Sequence, residues 1–477
     1  MKSAVLRRFS FLLGAHAWRE ILLGIFLLAL ARRNPAGYGE MMLAFQFGAI
    51  LLFLAEAGLN PHLVVRIANA PDRFRAWLRH YAWVRAGLLS ILCGGAWIFA
   101  RSQGYSPRLQ ALVLLLGGAI GLDALGGTFF VGLQVAGKQA AESRIRGWAA
   151  ALGWGYGLAA LAAGAGVFRL LVAKWIETLV NLVGAARTAW TAAPPEAATS
   201  AETPGPGLDW RESLPFTAMA VAAILCNKAN VFFLQRWGGI EAVAQYSATW
   251  QLVDGLCVLV SSLLLGRVLY PLFVRQWRAD RGELERLVQQ AARWLSLAAG
   301  MAVLALGLCS EPLIRLLYGS AYGEAARVQP LLAWSIPFAL LHNTAAYLLL
   351  AAGRRWFLVW AYGAALALNL ALCRFGMPSH PLSGAAWAIV ATKGCLAAVT
   401  VAAACRLVPF WRSATAAQLM LAVLAGWAIF RAATPLLGAA ALLPAWLPAG
   451  WLGWRWWREH VRRVPPDNPL PASGSSG

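Results

Sequence analysis

Charged side chains are scarce in this sequence. Asp, Glu, Lys and Arg together make up 13% of the 477 residues, and only 20 residues are acidic. Soluble globular domains carry about 25% charged residues, so this composition excludes an ordinary soluble protein. Hydrophobic residues reach 60%, and the mean hydropathy is +0.60. These values predict a polytopic integral membrane protein.

Cysteine is also sparse, and its spacing gives no support to a metal site or a disulfide framework. The seven cysteines are scattered through apolar runs, without a Cys-x-x-Cys pair or a Cys/His cluster of metal-ligand spacing. We interpret them as small buried hydrophobic residues and expect neither a metal nor a cofactor. A cleavable signal peptide is not evident, because the first apolar run is long and contains Arg19 and Glu20.

Positive charge is abundant, with a net charge of +21. In a soluble protein this excess would suggest nucleic-acid binding, but here most Lys and Arg residues lie in short segments between apolar runs. With the N-terminus in the cytoplasm, 24 of them fall on the cytoplasmic side, 11 (including Lys174) on the opposite side and six inside spans. The positive-inside rule therefore predicts a multi-pass membrane protein with both termini in the cytoplasm, and no nucleic-acid partner.

Long apolar runs dominate the chain. A helix needs about 20 apolar residues to span a bilayer, and fourteen runs meet this requirement, beginning near Phe9, Tyr38, Trp77, Arg108, Ile145, Arg169, Ser213, Ala242, Leu287, Val328, Trp356, Leu382, Ala414 and Pro435. The polar stretch rich in Pro, Ala and Gly before Ser213 indicates a linker. The predicted organisation is an N-lobe of six helices (1–192), a cytoplasmic linker (193–212), a C-lobe of six helices (213–410), two further helices (411–460) and a cytoplasmic tail (461–477).

Three short fragments recur in the same order in both halves. LNPHLVVR (59–66) resembles LYPLFVR (269–275), with prolines 210 residues apart, and VAGK (135–138) resembles AAGR (351–354), 216 residues later. Tyr38 matches Tyr246 at an offset of 208. We predict an all-α fold of two six-helix lobes related by a pseudo-twofold axis along the membrane normal, plus a C-terminal helix pair. In transporters built from repeats, the substrate site lies at the repeat interface.

The same offset relates four of the six cations inside spans. Arg19 matches Lys228 at an offset of 209, and Arg85 matches Arg293 at an offset of 208. Ionisable residues inside a membrane are expensive and usually functional, so these cations are candidates for binding an anionic substrate. The alternatives are a structural ion pair of Lys228 with Asp254, a pair of Arg19 with Glu56, and, for the other two arginines, side chains that reach the lipid headgroups.

Uncharged polar residues add further candidates. Asn227 and Asn230 flank Lys228 and could hydrogen-bond the substrate or hold the helix against a neighbour. The eighth span carries a polar stripe that lines water or forms bonds between helices: Ser247, Gln251, Asp254 and Ser261. We interpret three other residues as sources of interhelical hydrogen bonds: His342, Asn343 and Asn369.

Several stretches, spread over residues 5–410, carry a family resemblance. They read LLALARRNPAGYGEMMLAF, LAEAGLNPHLVVR, IEAVAQYSATWQLVDG, EPLIRLLYGSAYGEAARVQPLLAWSIPF and LSGAAWAIVAT. As an ordered set they resemble the polysaccharide-transporter family of lipid-linked oligosaccharide flippases (Wzx-type), with Glu56 at the family's usual acid. Family members often carry an Asp in the seventh helix, where this chain has Lys228 and Asn230.

The resemblance implies a flippase of the bacterial cytoplasmic (inner) membrane that moves a polyprenyl-diphosphate-linked oligosaccharide from the cytoplasmic to the periplasmic leaflet by alternating access. It implies coupling to a proton or sodium gradient, for which Glu56 and Asp254 are the candidate residues. The expected partners are the lipid-linked oligosaccharide, membrane lipids, and a glycan polymerase with its chain-length proteins, and the chain is expected to act as a monomer.

Two other functions remain open from the sequence. A cation-coupled drug exporter of the same superfamily should carry acids in its cavity, and the four intramembrane cations argue against it. An integral-membrane glycosyltransferase or polymerase needs clustered carboxylates or catalytic Arg and His residues on a large external loop. Every predicted external loop is short, so we expect a protein that is not an enzyme.

Overall fold

The computed structural model describes residues 2–56, 58–192 and 210–461, and its regular elements there are all helical. The α-helices are α1 (Lys2–Arg33), α2 (Pro35–Glu56), α3 (Leu59–Asn69), α4 (Phe74–Ser102), α5 (Pro107–Val135), α6 (Gln139–Ala162), α7 (Val167–Ala192), α8 (Trp210–Val260), α9 (Tyr270–Ala279), α10 (Arg281–Leu308), α11 (Ser310–Tyr318), α12 (Gly323–Ala333), α13 (Ser335–Ala351), α14 (Arg355–Gly376), α15 (Pro381–Cys405), α16 (Ser413–Leu437), α17 (Leu442–Ala445) and α18 (Leu447–Val461).

Within those residues, eight helical stretches are long and apolar enough to cross a membrane by length and composition. The predicted start of the fourteenth span is wrong. Pro435 lies inside α16, and the following apolar helices begin at Leu442 and Leu447. Residues 193–209 of the predicted linker and 462–477 of the predicted tail lie outside the described part of the chain. Residues 210–212 belong to α8 rather than to a linker.

The second and eighth predicted spans are both interrupted where the repeat fragments lie. Helix α2 ends at Glu56, and α3 starts after Gly58, whose φ of 74° favours glycine. In the eighth span the helix widens to π-helical turns over Ser261–Leu269 before α9 begins. The fragments LNPHLVVR and LYPLFVR thus form the short helical continuations of two interrupted spans. Gly239 also has a positive φ, 71°. It lies inside α8 and separates the seventh span from the eighth.

The described chain forms two compact units. The first comprises Met1–Leu252, Ile314–Val328 and Arg354–Cys395. In it α5 packs against α2, α4 and α7, and α6 packs against α1 and α7. Small residues bring these helices close together, as is usual in membrane proteins. A Cβ on Gly48 of α2 would stand 2.5 Å from Ile120 Cδ1 of α5, and one on Gly153 of α6 would stand 2.6 Å from the Ala173 carbonyl oxygen of α7.

The second unit comprises Val253–Leu313, Gln329–Gly353 and Leu396–Gly477. Helix α10 packs here against α9, α13, α16 and α18. Its apolar core includes Leu304, Val423 and Trp456. Gly426 of α16 allows a close approach, because a Cβ there would lie 2.6 Å from the Ala445 carbonyl oxygen. The division into lobes at 192 and 410 stays a prediction.

Candidate substrate and ion-coupling site

Arg19 of α1 is held by two carboxylates of the first unit. Its Nε donates to Glu177 Oε1 of α7 at 2.5 Å, and its NH1 donates to Glu20 Oε1 at 2.5 Å. Glu177 also accepts from Lys174 Nζ, at 2.7 Å. The side chains of Glu177 and Lys174 are 0% and 1% exposed, whereas Arg19 keeps 26% of its side-chain surface exposed. The ion pairs therefore hold the guanidinium through Nε and NH1, while part of the side chain stays exposed.

Asp123 of α5 extends this network. It accepts from Lys174 Nζ at 2.6 Å and from Thr178 Oγ1 at 2.9 Å, and 23% of its side chain is exposed. Charged groups buried between helices are tolerated when they are paired and hydrogen-bonded. We call this set, Arg19, Glu20, Asp123, Lys174 and Glu177, the α1–α7 network. Its acids outnumber its cations, and Asp123 and Glu20 lie at its accessible edge.

The sequence-based reasoning missed three members of this network. Lys174, predicted on the side opposite the cytoplasm, lies inside α7 and is 1% exposed. Two signals were available. Lys174 and Glu177 have the i, i+3 spacing of a helical ion pair. Asp123 stands in the apolar run GLDALGG, where an isolated carboxylate needs a partner.

Arg85 of α4 is 0% exposed and belongs to a second polar cluster in the same unit. Its NH1 donates to the Ala124 carbonyl oxygen at 2.6 Å and to Thr128 Oγ1 at 2.9 Å, both on α5, and its NH2 donates to Asn60 Oδ1. These bonds lie inside the helix packing. An Arg85 side chain that extends to the headgroups, one of the predicted alternatives, is therefore not what the structure shows.

Glu56 lies beside Arg85. Glu56 Oε1 and Arg85 NH1 both lie near Gly127 of α5. A Cβ built on this glycine would stand 3.2 Å from the first atom and 3.5 Å from the second. The predicted alternative in which Glu56 pairs with Arg19 needs correction, because the acids bonded to Arg19 are Glu177 and Glu20. Glu56 is half-buried at the end of α2, directly before the interruption of the second span.

The predicted residues of α8 occupy different environments. Asn230 is 0% exposed. Its Nδ2 donates to the Ala385 carbonyl oxygen at 3.2 Å and to Tyr246 OH at 3.4 Å, and its Oδ1 accepts from Cys373 Sγ at 3.4 Å. Asn230 thus connects α8 with α14 and α15. Lys228 and Asn227 are half-buried on the same helix, as is Asp254 farther along it.

Gln251 participates in a tyrosine cluster of the first unit. Its Oε1 accepts from Tyr38 OH at 3.3 Å and from Tyr318 OH at 3.4 Å, and its Nε2 contacts Met42 Sδ at 3.3 Å. The Tyr38 ring centroid lies 6.1 Å from those of Tyr318 and Tyr322. The amide of Gln251 is therefore bonded to protein groups.

Arg293 lies in the second unit, where it faces the C-terminal helix. Its NH1 is 3.8 Å from Glu459 Oε2 of α18, its guanidinium carbon is 5.9 Å from the centroid of the Trp456 ring, and 29% of its side chain is exposed. The two repeat-related arginines, Arg85 and Arg293, thus have different surroundings. A role for either in substrate binding stays a prediction.

The three predicted interhelical hydrogen bonds are confirmed. In the second unit, His342 Nδ1 lies 3.0 Å from Thr400 Oγ1, and Asn343 Nδ2 donates to Ser261 Oγ at 2.6 Å. In the first unit, Asn369 Nδ2 donates to Thr392 Oγ1 at 3.3 Å.

Comparison with solved structures defines the class of protein. An inward-facing MATE multidrug transporter of the MOP superfamily is 14% identical, with a TM-score of 0.61 over 82% of this chain and 94% of that one. The lipid II flippase MurJ, in an inward closed conformation, is 12% identical, with a TM-score of 0.61 over 94% and 99%. A MOP-superfamily transporter from Pyrococcus furiosus is 15% identical, with a TM-score of 0.56 over 84% and 93%. The chain therefore has this transporter fold, and the predicted all-α polytopic membrane class is confirmed.

The family follows from the sequence match. Residues 5–277 match the family described as polysaccharide biosynthesis protein. This match covers more than half of the chain, so the protein belongs to that family, and the resemblance inferred from the motifs is confirmed. No curated protein sequence matches the chain. Family and fold together describe a member of the polysaccharide biosynthesis protein family with the fold of MATE and MurJ membrane transporters.

Proposed function

We propose that the protein flips a polyprenyl-diphosphate-linked oligosaccharide from the cytoplasmic to the periplasmic leaflet of a bacterial inner membrane, for the synthesis of a surface polysaccharide. The observation that carries this proposal is Arg19, a cation in the middle of helix α1 that is fixed by Glu177 but remains 26% exposed. The family match supports a role in polysaccharide biosynthesis.

A diphosphate that leaves the headgroup region loses hydration and needs positive charge in its place. Arginine binds phosphate oxygens through paired N–H donors, and lysine acts as a point charge. In our proposal Arg19 and its repeat-related Lys228 offer this charge to the diphosphate or to acidic sugars. Glu177 positions the guanidinium of Arg19, so that less side-chain freedom is lost when the anion binds.

Flipping a charged headgroup requires energy, and we propose that a proton or sodium gradient supplies it. Glu56 and Asp254 are the candidates from the sequence. The geometry adds Asp123, whose carboxylate joins Lys174 to Thr178 and is partly exposed. Binding a proton or a cation at Asp123 would weaken its hold on Lys174 and so change the pairing around Glu177 and Arg19.

The test is complementation in a bacterium that lacks its own flippase but retains the glycosyltransferases for the matching glycan. The measurements are exported surface polysaccharide, lipid-linked oligosaccharide retained in the cytoplasmic leaflet, and abundance of the protein. We expect the wild-type chain to restore export, Arg19→Ala to lower it at least tenfold, and Arg19→Lys to lower it less.

A matched control removes a cation of the same unit outside the network. Arg169→Ala serves this purpose, because Arg169 is exposed near the start of α7. The proposal fails if Arg19→Ala at normal abundance exports as well as this control. Increased resistance to cationic drugs, without restored glycan export, would instead support a drug exporter.

A further inference from the structure

An apolar groove of about 690 Å³ runs along the first unit, apart from the α1–α7 network. Four helices contribute to its walls: α2, α4, the first part of α8, and α14. On α2 and α4 the lining residues are Phe47, Ile50, Leu51, Leu54, Ile91, Leu92, Gly95, Ala96 and Phe99, with Gln103 directly after α4. On α8 they are Leu225, Ala229, Phe232, Phe233, Arg236 and Trp237, and on α14 they are Leu366, Leu370 and Arg374.

Three aromatic rings form part of the groove wall. The Phe232 ring centroid lies 4.5 Å from that of Phe47 and 5.8 Å from that of Phe99. Ile91, which also lines the groove, is 73% exposed. In water such a surface would be unfavourable, but inside a bilayer it suits hydrocarbon chains.

One end of the groove is cationic. The guanidinium carbons of Arg236 and Arg374 lie 5.6 Å and 5.9 Å from the Trp237 ring centroid, and Arg236 NH1 donates to Gln103 Oε1 at 3.2 Å. Neither arginine has a carboxylate partner among the described residues, and both are exposed. Their positive charge is therefore available to an anion that binds at this end of the apolar groove.

The length of the groove matches one leaflet. Its wall on α4 runs from Ile91 to Gln103, where the helix ends, which at 1.5 Å per residue is about 18 Å. Half of a hydrocarbon core of about 30 Å is roughly 15 Å. The arginines thus lie at the depth of the headgroups when the apolar wall spans a single leaflet. The predicted topology makes this the periplasmic leaflet.

We propose that this groove binds an anionic phospholipid of that leaflet, with an acyl chain along the apolar wall and the phosphate between Arg236 and Arg374. Charge complementarity favours an anionic over a zwitterionic lipid. The depth of one leaflet favours an acyl chain over a longer polyprenyl chain. The groove lining contains none of the residues proposed above to bind the substrate, and the proposal does not depend on them.

Native mass spectrometry of the full chain in detergent tests the charge requirement. Phosphatidylglycerol and phosphatidylcholine are titrated in competition, and each arginine near a membrane surface contributes roughly a fivefold preference for anionic lipid. We expect Arg236→Gln with Arg374→Gln to lower the phosphatidylglycerol preference about 25-fold. Replacing both arginines by Lys should preserve most of it. The matched control, Arg169→Gln with Arg431→Gln, removes two cations from the same predicted membrane side without touching the groove.

Two neighbouring glycines test the apolar wall. Gly95 lines the groove and Gly94 does not, and a Cβ on either would meet no atom within 4 Å. Gly95→Trp should therefore reduce binding of the phospholipid at least tenfold, while Gly94→Trp should leave it unchanged. Circular dichroism and size-exclusion profiles establish that each variant is folded.

Four results would overturn the proposal. The first is an unchanged lipid preference in the folded Arg236→Gln, Arg374→Gln variant. The second is competition by inorganic phosphate as effective as that by phosphatidylglycerol, which would indicate an anion site without a lipid chain. The third is equal loss of binding in Gly94→Trp and Gly95→Trp. Displacement of the phospholipid by polyprenyl phosphate at equal concentration would also contradict it, by assigning the groove to the carrier lipid.

Discussion

Arg19 of α1 and Glu177 of α7 are joined by a 2.5 Å bond although 158 residues separate them in the sequence. Glu177 is fully buried and bonded to a second cation, Lys174, at 2.7 Å. The pair therefore connects two helices of the first unit and fixes the one cation of the α1–α7 network that is partly exposed. Its two members have different expected roles, with Glu177 in stability and Arg19 in transport.

Removing the charge of Glu177 should strongly destabilise the protein. Glu177→Gln leaves two cations with one partner fewer in a buried site, and breaking a buried pair costs about 3–5 kcal/mol. Unfolding in detergent measures this loss. The matched control is Glu324→Gln. Glu324 is 57% exposed and pairs with Arg327, which is 77% exposed, so this change should alter stability by about 1 kcal/mol or less. Similar losses in the two variants would show that burial of Glu177 contributes nothing.

Two glycines of α6 should respond in opposite directions to alanine. At Gly153 the added Cβ would stand 2.6 Å from the Ala173 carbonyl oxygen and 2.9 Å from Glu177 Cβ, whereas at Gly155 it would meet nothing within 4 Å. Overpacking costs about 1–3 kcal/mol, and alanine at an open helical position gains roughly 0.5–1 kcal/mol. We expect Gly153→Ala to unfold at a lower temperature than wild type and Gly155→Ala at the same or a higher one. The reverse order would contradict the close packing of α6 on α7.

Lys228 tests whether a cation in the seventh span serves the substrate. Lys228→Ala should lower glycan export at least tenfold at near-normal abundance, and Lys228→Arg should lower it less, because the need is for charge. A structural pair with Asp254 gives a different expectation. In that case Lys228→Ala alone reduces abundance, and Lys228→Ala with Asp254→Ala restores both folding and export. Export and abundance measured together for these variants decide between the two.

The coupling proposal is tested by neutralising the candidate acids. In proteoliposomes that carry a labelled lipid-linked oligosaccharide, an imposed proton or sodium gradient should accelerate flipping by the wild-type chain. We expect Asp123→Asn, or Glu56→Gln with Asp254→Asn, to abolish that acceleration while slow flipping without a gradient continues. Glu324→Gln is the control for a lost exposed carboxylate. If gradient-dependent flipping persists in all the acid variants, coupling lies at another residue.

The sequence was sufficient for those features that depend on composition and on local order. A scarcity of charge and fourteen apolar runs predicted a polytopic all-α membrane protein, because hydrocarbon admits helices whose backbone bonds are satisfied internally. The ordered motifs identified the family. The interhelical bonds of His342, Asn343 and Asn369 could also be expected, since a polar side chain in an apolar helix needs a partner.

Only the tertiary structure decided which charges pair. Glu177 rather than Glu56 binds Arg19, Glu56 lies beside Arg85, and Asp123 binds Lys174. No local pattern contains these pairings, because the partners lie on different helices and meet only through the packing of those helices. The cationic end of the groove has the same origin. Arg236 and Arg374 are 138 residues apart in the sequence, and it is the packing of α8 and α14 around the Trp237 ring that brings their charges to one place.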